Sequence, residues 1–193
     1  MEGQGMKGTH YVIALIVYIA SIVLPIIVSS QVISFIHVAL YAVFSLIIIA
    51  GATIDMHYYI LPDEGALVLV IGGILYSFLN DKSMLITIIS VMTVGTITYG
   101  LRLISHKGFG LGDVKWFSAI SMWLTPWEII CFFYVAFCVG SLYLLLTSYR
   151  NRYIPFGPFL CVGGWCALHG GSYMEVLYQW LRHNLYIISL ALC

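Results

Sequence analysis

The chain is divided from end to end into apolar runs of about membrane-spanning length, with very few charges between them. Residues 11–30, 32–53, 66–79, 84–104, 114–124, 127–148, 159–168 and 173–193 are predicted helical segments separated by short polar breaks. Eight Lys/Arg and eight Asp/Glu serve 193 residues, 8% charged in all, against about 25% in a water-soluble globule. A surface so poor in charge cannot face water. The fold class is therefore all-α, a polytopic integral membrane bundle of about seven to eight transmembrane segments. Residues 1–193 read as a single membrane-embedded domain. Segment 173–193 carries Arg182 and His183 in its middle, and fits either a last span or a helix lying at the interface. Segment 11–30 lacks a small-residue cleavage site and reads as a retained span rather than a signal peptide.

The partner that composition demands is a lipid bilayer. With net charge zero and no basic stripe, nucleic acid is excluded as a partner. The five cysteines form no CxxC pair and read as packing residues. No HExxH or Gly-x-Ser-x-Gly appears, so metal and serine-hydrolase chemistry have no residues to rest on, and no metal site is expected. With the N-terminus in the cytoplasm and strict alternation, Lys7, Arg102, Lys107, Lys115, Arg150 and Arg152 fall inside and Lys82 outside. That places three unusual loops, 55–64, 106–113 and 150–158, on one cytoplasmic face.

Those loops hold the acids that matter. Asp55 ends one segment and Asp113 begins another at the same depth, while Asp63 lies across the loop from Asp55. Two carboxylates held close together share one proton, because both cannot ionise easily. The ionised member then takes a proton from water while the protonated one donates to a carbonyl, which hydrolyses a peptide without metal or covalent intermediate. Gly108, Gly110 and Gly112 remove side chains just before Asp113, where another backbone has to come close. Asp113 itself is expected to cap the helix that follows. His57 and His106 read as solvated loop residues, and Trp116, Trp123, Trp127 and Tyr149 as anchors at the membrane interface. The residues alone do not choose between Asp55 and Asp63.

Three blocks together resemble the type IV prepilin peptidase family: Ile54 to Asp63 (IDMHYYILPD), Gly110 to Lys115 (GLGDVK) and Ile154 to Leu160 (IPFGPFL). They stand in that family's order within 54–164. The resemblance implies a membrane aspartic endopeptidase that removes the short basic leader of prepilins or pseudopilins. It implies Asp55 and Asp113 as the catalytic pair, with Asp63, Gly110, Gly112, Lys115, Pro155, Gly157 and Pro158 supporting the site or docking substrate. It further implies the bacterial inner membrane, a cytoplasm-facing active site, and pilus or type II secretion assembly machinery as partners. Longer members carry a zinc-binding insert with paired CxxC motifs near the N-terminus and N-methylate the product with S-adenosylmethionine. Here 11–30 runs almost directly into 32–53, so peptidase activity without methylation is expected, with S-adenosylmethionine a cofactor only if the second activity is retained. The alternatives are another GxGD membrane protease, of the preflagellin type, and a non-enzymatic transporter or assembly scaffold whose acids bind a cation or proton.

Overall fold

The computed structural model describes residues 35–105, 109–147 and 154–170, together with Ile19. Segments 11–30 and 173–193 lie outside these stretches, apart from Ile19, as do His106 and Tyr149. Among the described residues there are six helices and no strand. These are α1 (Phe35–Tyr58), α2 (Asp63–Leu79), α3 (Met84–Ile104), α4 (Leu111–Ser121), α5 (Pro126–Thr147) and α6 (157–170).

Three of them, Phe35–Tyr58, Met84–Ile104 and Pro126–Leu146, are long and apolar enough to cross a membrane. Helix α4, with 11 residues, rises only about 16 Å at 1.5 Å per residue, too little to cross. The sequence had marked 114–124 as one segment of a longer count. The Gly-rich stretch before it lets the helix begin earlier, at Leu111, and Pro126 opens α5 at a position where its missing N–H is not needed.

The outward faces explain the scarcity of charge. Of the 21 residues of α3, Thr87, Val94 and Thr98 are buried, and Leu85, Met92 and Ile104 stand open. An apolar surface of that extent is stable against lipid rather than water. Thr98 is buried with its hydroxyl satisfied, donating to the Val94 carbonyl of its own helix at 2.8 Å.

Helix α4 is the centre of the core. Trp116, Phe117, Ala119, Ile120 and, just beyond its end, Trp123 are essentially inaccessible. Phe44 and Ile48 of α1, Leu69 of α2, Phe132 of α5 and Leu160 of α6 complete that core. Trp116 lies against Gly51 and Gly65, and its indole N–H donates to the Pro62 carbonyl at 3.0 Å. Trp123 lies against Gly72 and Gly73 and donates to the Leu69 carbonyl at 2.8 Å. Both therefore correct the expectation of interface anchors. An indole satisfied by a backbone carbonyl, facing glycines that leave room for the ring, is worth more inside than at the headgroups. Trp127, 38% exposed, is the one of the described set still open to the surroundings.

Candidate active site

The α1 helix runs one turn past Asp55, to Tyr58, so the acid lies inside the helix rather than after it. Asp55 is 5% exposed, and its Oδ2 accepts the Gly157 N–H at 2.7 Å. Gly157 begins α6, where the N–H groups of the first turn have no partner within their own helix. Pro158 follows in that same turn, a position proline fits because its missing N–H is not called on. A Cβ on Gly157 would stand 2.7 Å from Asp55 Oδ2, so only glycine lets the backbone come this close.

Asp113 is placed by a matching device. Gly110 is the N-cap of α4 and Asp113 its third residue, whose Oδ2 reaches back to accept the Gly110 N–H at 3.0 Å. The acid thus lies in the first turn of the helix, at its third position, and is not the cap itself. A Cβ on Gly110 would meet that same oxygen at 2.9 Å. Gly112 rests on Leu61, whose Cβ is 3.3 Å from where a methyl would stand. Burial pushes the Asp113 carboxyl up to about 6; the Gly110 N–H pulls it down, and the Asp55 charge adds to the rise.

Both acids face one cleft of about 430 Å³, walled by Tyr59, Leu111, Ile154, Pro155 and Phe156. Asp63 borders the same cleft but is differently engaged. Its two oxygens accept Lys115 Nζ at 2.8 and 2.7 Å, a pair that joins the start of α2 to α4 while remaining half in the open. The structure thus separates the three acids: Asp55 and Asp113 are each held by a glycine N–H, and Asp63 by a lysine. His57 is exposed. Among the described residues, no three His, Cys, Asp or Glu side chains converge as metal ligands would.

Two contributors escaped the sequence. Arg102, at the end of α3, donates Nη1 to the Phe109 carbonyl at 2.8 Å and so fixes the residue before Gly110. The other is Tyr59, whose φ of +57° puts a bulky side chain in the left-handed region, at a cost on the order of 1 kcal/mol. A charge at the end of an apolar run was the available signal for Arg102. Tyr59 gave none, since nothing in its neighbours specifies φ.

A helical bundle with a lipid-facing surface, and two acids fixed by glycines over one cleft, defines a membrane protein with an acidic cleft. The chain belongs to the type IV leader peptidase family, whose family model matches residues 40–145. Among its relatives is a prepilin leader peptidase/N-methyltransferase of Dichelobacter nodosus, 29% identical over 143 residues, which cover 70% of this chain and 50% of that protein. A protein of the same description from Aeromonas salmonicida is 27% identical over 65% of this chain and 47% of its own length. The leader peptidase HopD of Escherichia coli is 33% identical over 61% of this chain and 86% of its own length. The chain spans about half the length of the first two. No solved structure matches it.

Proposed function

We propose that this chain is an aspartic endopeptidase that removes the short basic leader from type IV prepilins or pseudopilins, with Asp55 and Asp113 as its catalytic pair. The observation that carries this reading is the shared cleft, in which two acids from separate helices are each oriented by a glycine N–H. Asp113 holds the shared proton up to about pH 6 and donates it to the scissile carbonyl oxygen. Asp55 takes a proton from the attacking water, whose oxygen bonds to the carbonyl carbon. Collapse of the tetrahedral species breaks the C–N bond; the proton taken by Asp55 passes to the leaving amine, and the oxygen protonated by Asp113 returns its proton to Asp113 as the product C=O forms.

The remaining positions support this pair. The Asp63–Lys115 link and the 154–158 turn, with Pro155, Gly157 and Pro158, hold the cleft walls. The cleft lies at the cytoplasmic surface of the bacterial inner membrane, in a single domain of seven to eight segments, and feeds pilus or type II secretion assembly. A prepilin's basic leader and apolar helix meet at that depth. Cleavage needs no cofactor. Methylation with S-adenosylmethionine is not part of this reading, since a single residue separates segments 11–30 and 32–53, with no CxxC insert between them.

The test is leader removal by membranes carrying wild type, Asp55→Asn or Asp113→Asn. Asparagine keeps the shape and cannot share or release the proton. Wild type is expected to cut and both variants to lose at least about 10³-fold in rate while inserting normally. Cutting by either variant removes that residue from the pair. Product mass with S-adenosylmethionine present reads methylation directly; a gain of one methyl group overturns the peptidase-only assignment.

A further inference from the structure

We propose that the Tyr59 ring is a substrate-contacting wall of the cleft, which packs on an apolar side chain of the bound peptide beside Asp55. The proposal rests on the peptidase reading and names one residue that sets how its substrate is held.

Among the described residues, two that are not glycine have positive φ, Tyr59 at +57° and Asp81 at +50°. Asp81 is unremarkable, since Asp and Asn are several-fold enriched in that region and this one sits in a tight turn between α2 and α3. Tyr59 is different. Its N–H donates to the Asp55 carbonyl at 2.8 Å, so it occupies the position after the helix end, where glycine is the usual residue. The left-handed turn itself is useful: it folds the chain back so that Leu61 is buried and Pro62 receives Trp116. A glycine would make that turn without strain.

What the tyrosine adds is a ring, and the ring is not spent on the core. It is 59% exposed and stands on the rim of the cleft that holds Asp55 and Asp113. Strain at a bulky residue, uncompensated by burial and placed four residues from a site acid, is the pattern expected where a side chain serves binding. Beside its acids the cleft has an apolar side, formed by Leu111, Ile154 and Phe156, and that side suits an apolar side chain of the peptide. An open aromatic gives large contact area at low entropy cost, which suits one wall of such a pocket.

The experiment compares wild type, Asp113→Asn, Tyr59→Phe, Tyr59→Gly and Tyr59→Asn in the same membranes on a prepilin, with thermal midpoints of the purified proteins. Cleavage by wild type and none by Asp113→Asn establishes the peptidase reading independently of Tyr59. On that background, Tyr59→Gly and Tyr59→Asn should raise KM about 10-fold with kcat within about 3-fold, while Tyr59→Phe stays within about 2-fold of wild type. The Gly and Asn variants should melt no lower than wild type, because both residues accept φ near +57°. An unchanged KM in both variants overturns the proposal. So does a lower thermal midpoint in both, which would make the ring a structural prop. If wild type cuts no prepilin, the peptidase reading and this one fall together.

Discussion

The short central helix α4 carries one tryptophan, Trp116, at its middle and a second, Trp123, just past its end; the two are packed alike, and the molecule differs sharply beyond each of them. Trp116 faces Gly51 and Gly65 and donates to Pro62; Trp123 faces Gly72 and Gly73 and donates to Leu69. Past Trp123, polar groups close on one another. Lys82 donates to the Trp123 carbonyl at 2.8 Å with its ammonium 4.6 Å above the Tyr76 ring, and Glu128 accepts the Thr125 N–H at 2.6 Å. Tyr41 and Tyr76 share a hydrogen bond at 3.1 Å. Past Trp116, two carboxylates front an open cleft, and the lysine nearby is committed to a third acid. The same packing device thus supports a sealed end and an open one. At the sealed end each cation and acid lowers the other's cost of burial; at the open end a carboxyl is left protonatable near neutral pH, which is the property hydrolysis uses.

The comparison breaks most plainly at glycines. Gly157→Ala puts a methyl 2.7 Å from Asp55 Oδ2 and 2.9 Å from its Cβ. Turning the carboxylate relieves the first contact but not the second, so the start of α6 must shift as well; the folded fraction's cleavage is expected to fall about 10²-fold, alongside a stability loss of about 1–3 kcal/mol. Gly72→Ala puts a methyl 2.5 Å from the Trp123 ring, in rigid surroundings. That overpacking should cost about 1–3 kcal/mol of stability and leave the folded fraction's kcat unchanged. Cleavage rates and melting curves on the two variants read this difference directly. If Gly157→Ala cuts like wild type, the Asp55 carboxylate is not oriented by that N–H.

How far the sequence foretold this depends on whether a feature is local. Helix α3 begins and ends where the apolar run does, because Ser83 and Ser105 bound it and burial is decided by lipid rather than by a partner. The pair Asp55 and Asp113 was visible, with resemblance needed to set Asp63 aside. In the structure Lys115 occupies both oxygens of Asp63, whereas Asp55 and Asp113 each accept a glycine N–H. The tryptophans were misjudged because the groups that admit them, Gly51, Gly65, Gly72 and Gly73, lie far away in sequence. Which backbone N–H meets which carboxylate is equally non-local: Gly157 reaches Asp55 across 102 positions. The glycines themselves were legible as close approaches, but not what approached.

A gentler test of the open end is titration. Asp113 rises from 3.8 to about 6 in the fold, so its proton is held more tightly folded than unfolded. That contribution to stability is complete below the unfolded value near 4 and is lost as pH climbs through 6. Wild type should therefore lose on the order of 1–3 kcal/mol relative to Asp113→Asn between pH 4 and pH 7, and Asn at this site should flatten the profile. Cleavage should decline on the alkaline side of the same value. Identical pH profiles of the melting point for the two proteins would show that Asp113 titrates alike folded and unfolded.

The smallest effect belongs to the ion pair that joins the two rims. Lys115 and Asp63 are both largely exposed, with side chains 51% and 67% accessible, so water and salt screen their attraction. Breaking it with Lys115→Met should cost less than about 1 kcal/mol of stability. Its larger consequence is geometric, because Lys115 sits two residues after Asp113 and Asp63 begins the helix after the Leu61 turn that Gly112 rests on. Loosening that strut should lower kcat several-fold, with KM nearly unchanged. The charge-swapped double variant, Lys115→Asp with Asp63→Lys, should recover part of that loss, since the same two helices are joined by the same attraction. Raising the salt concentration should shrink the difference between wild type and Lys115→Met. A swap no better than either single change would mean that each residue acts separately on the cleft, and that the two rims are positioned by the Trp116–Pro62 and Gly112–Leu61 contacts instead.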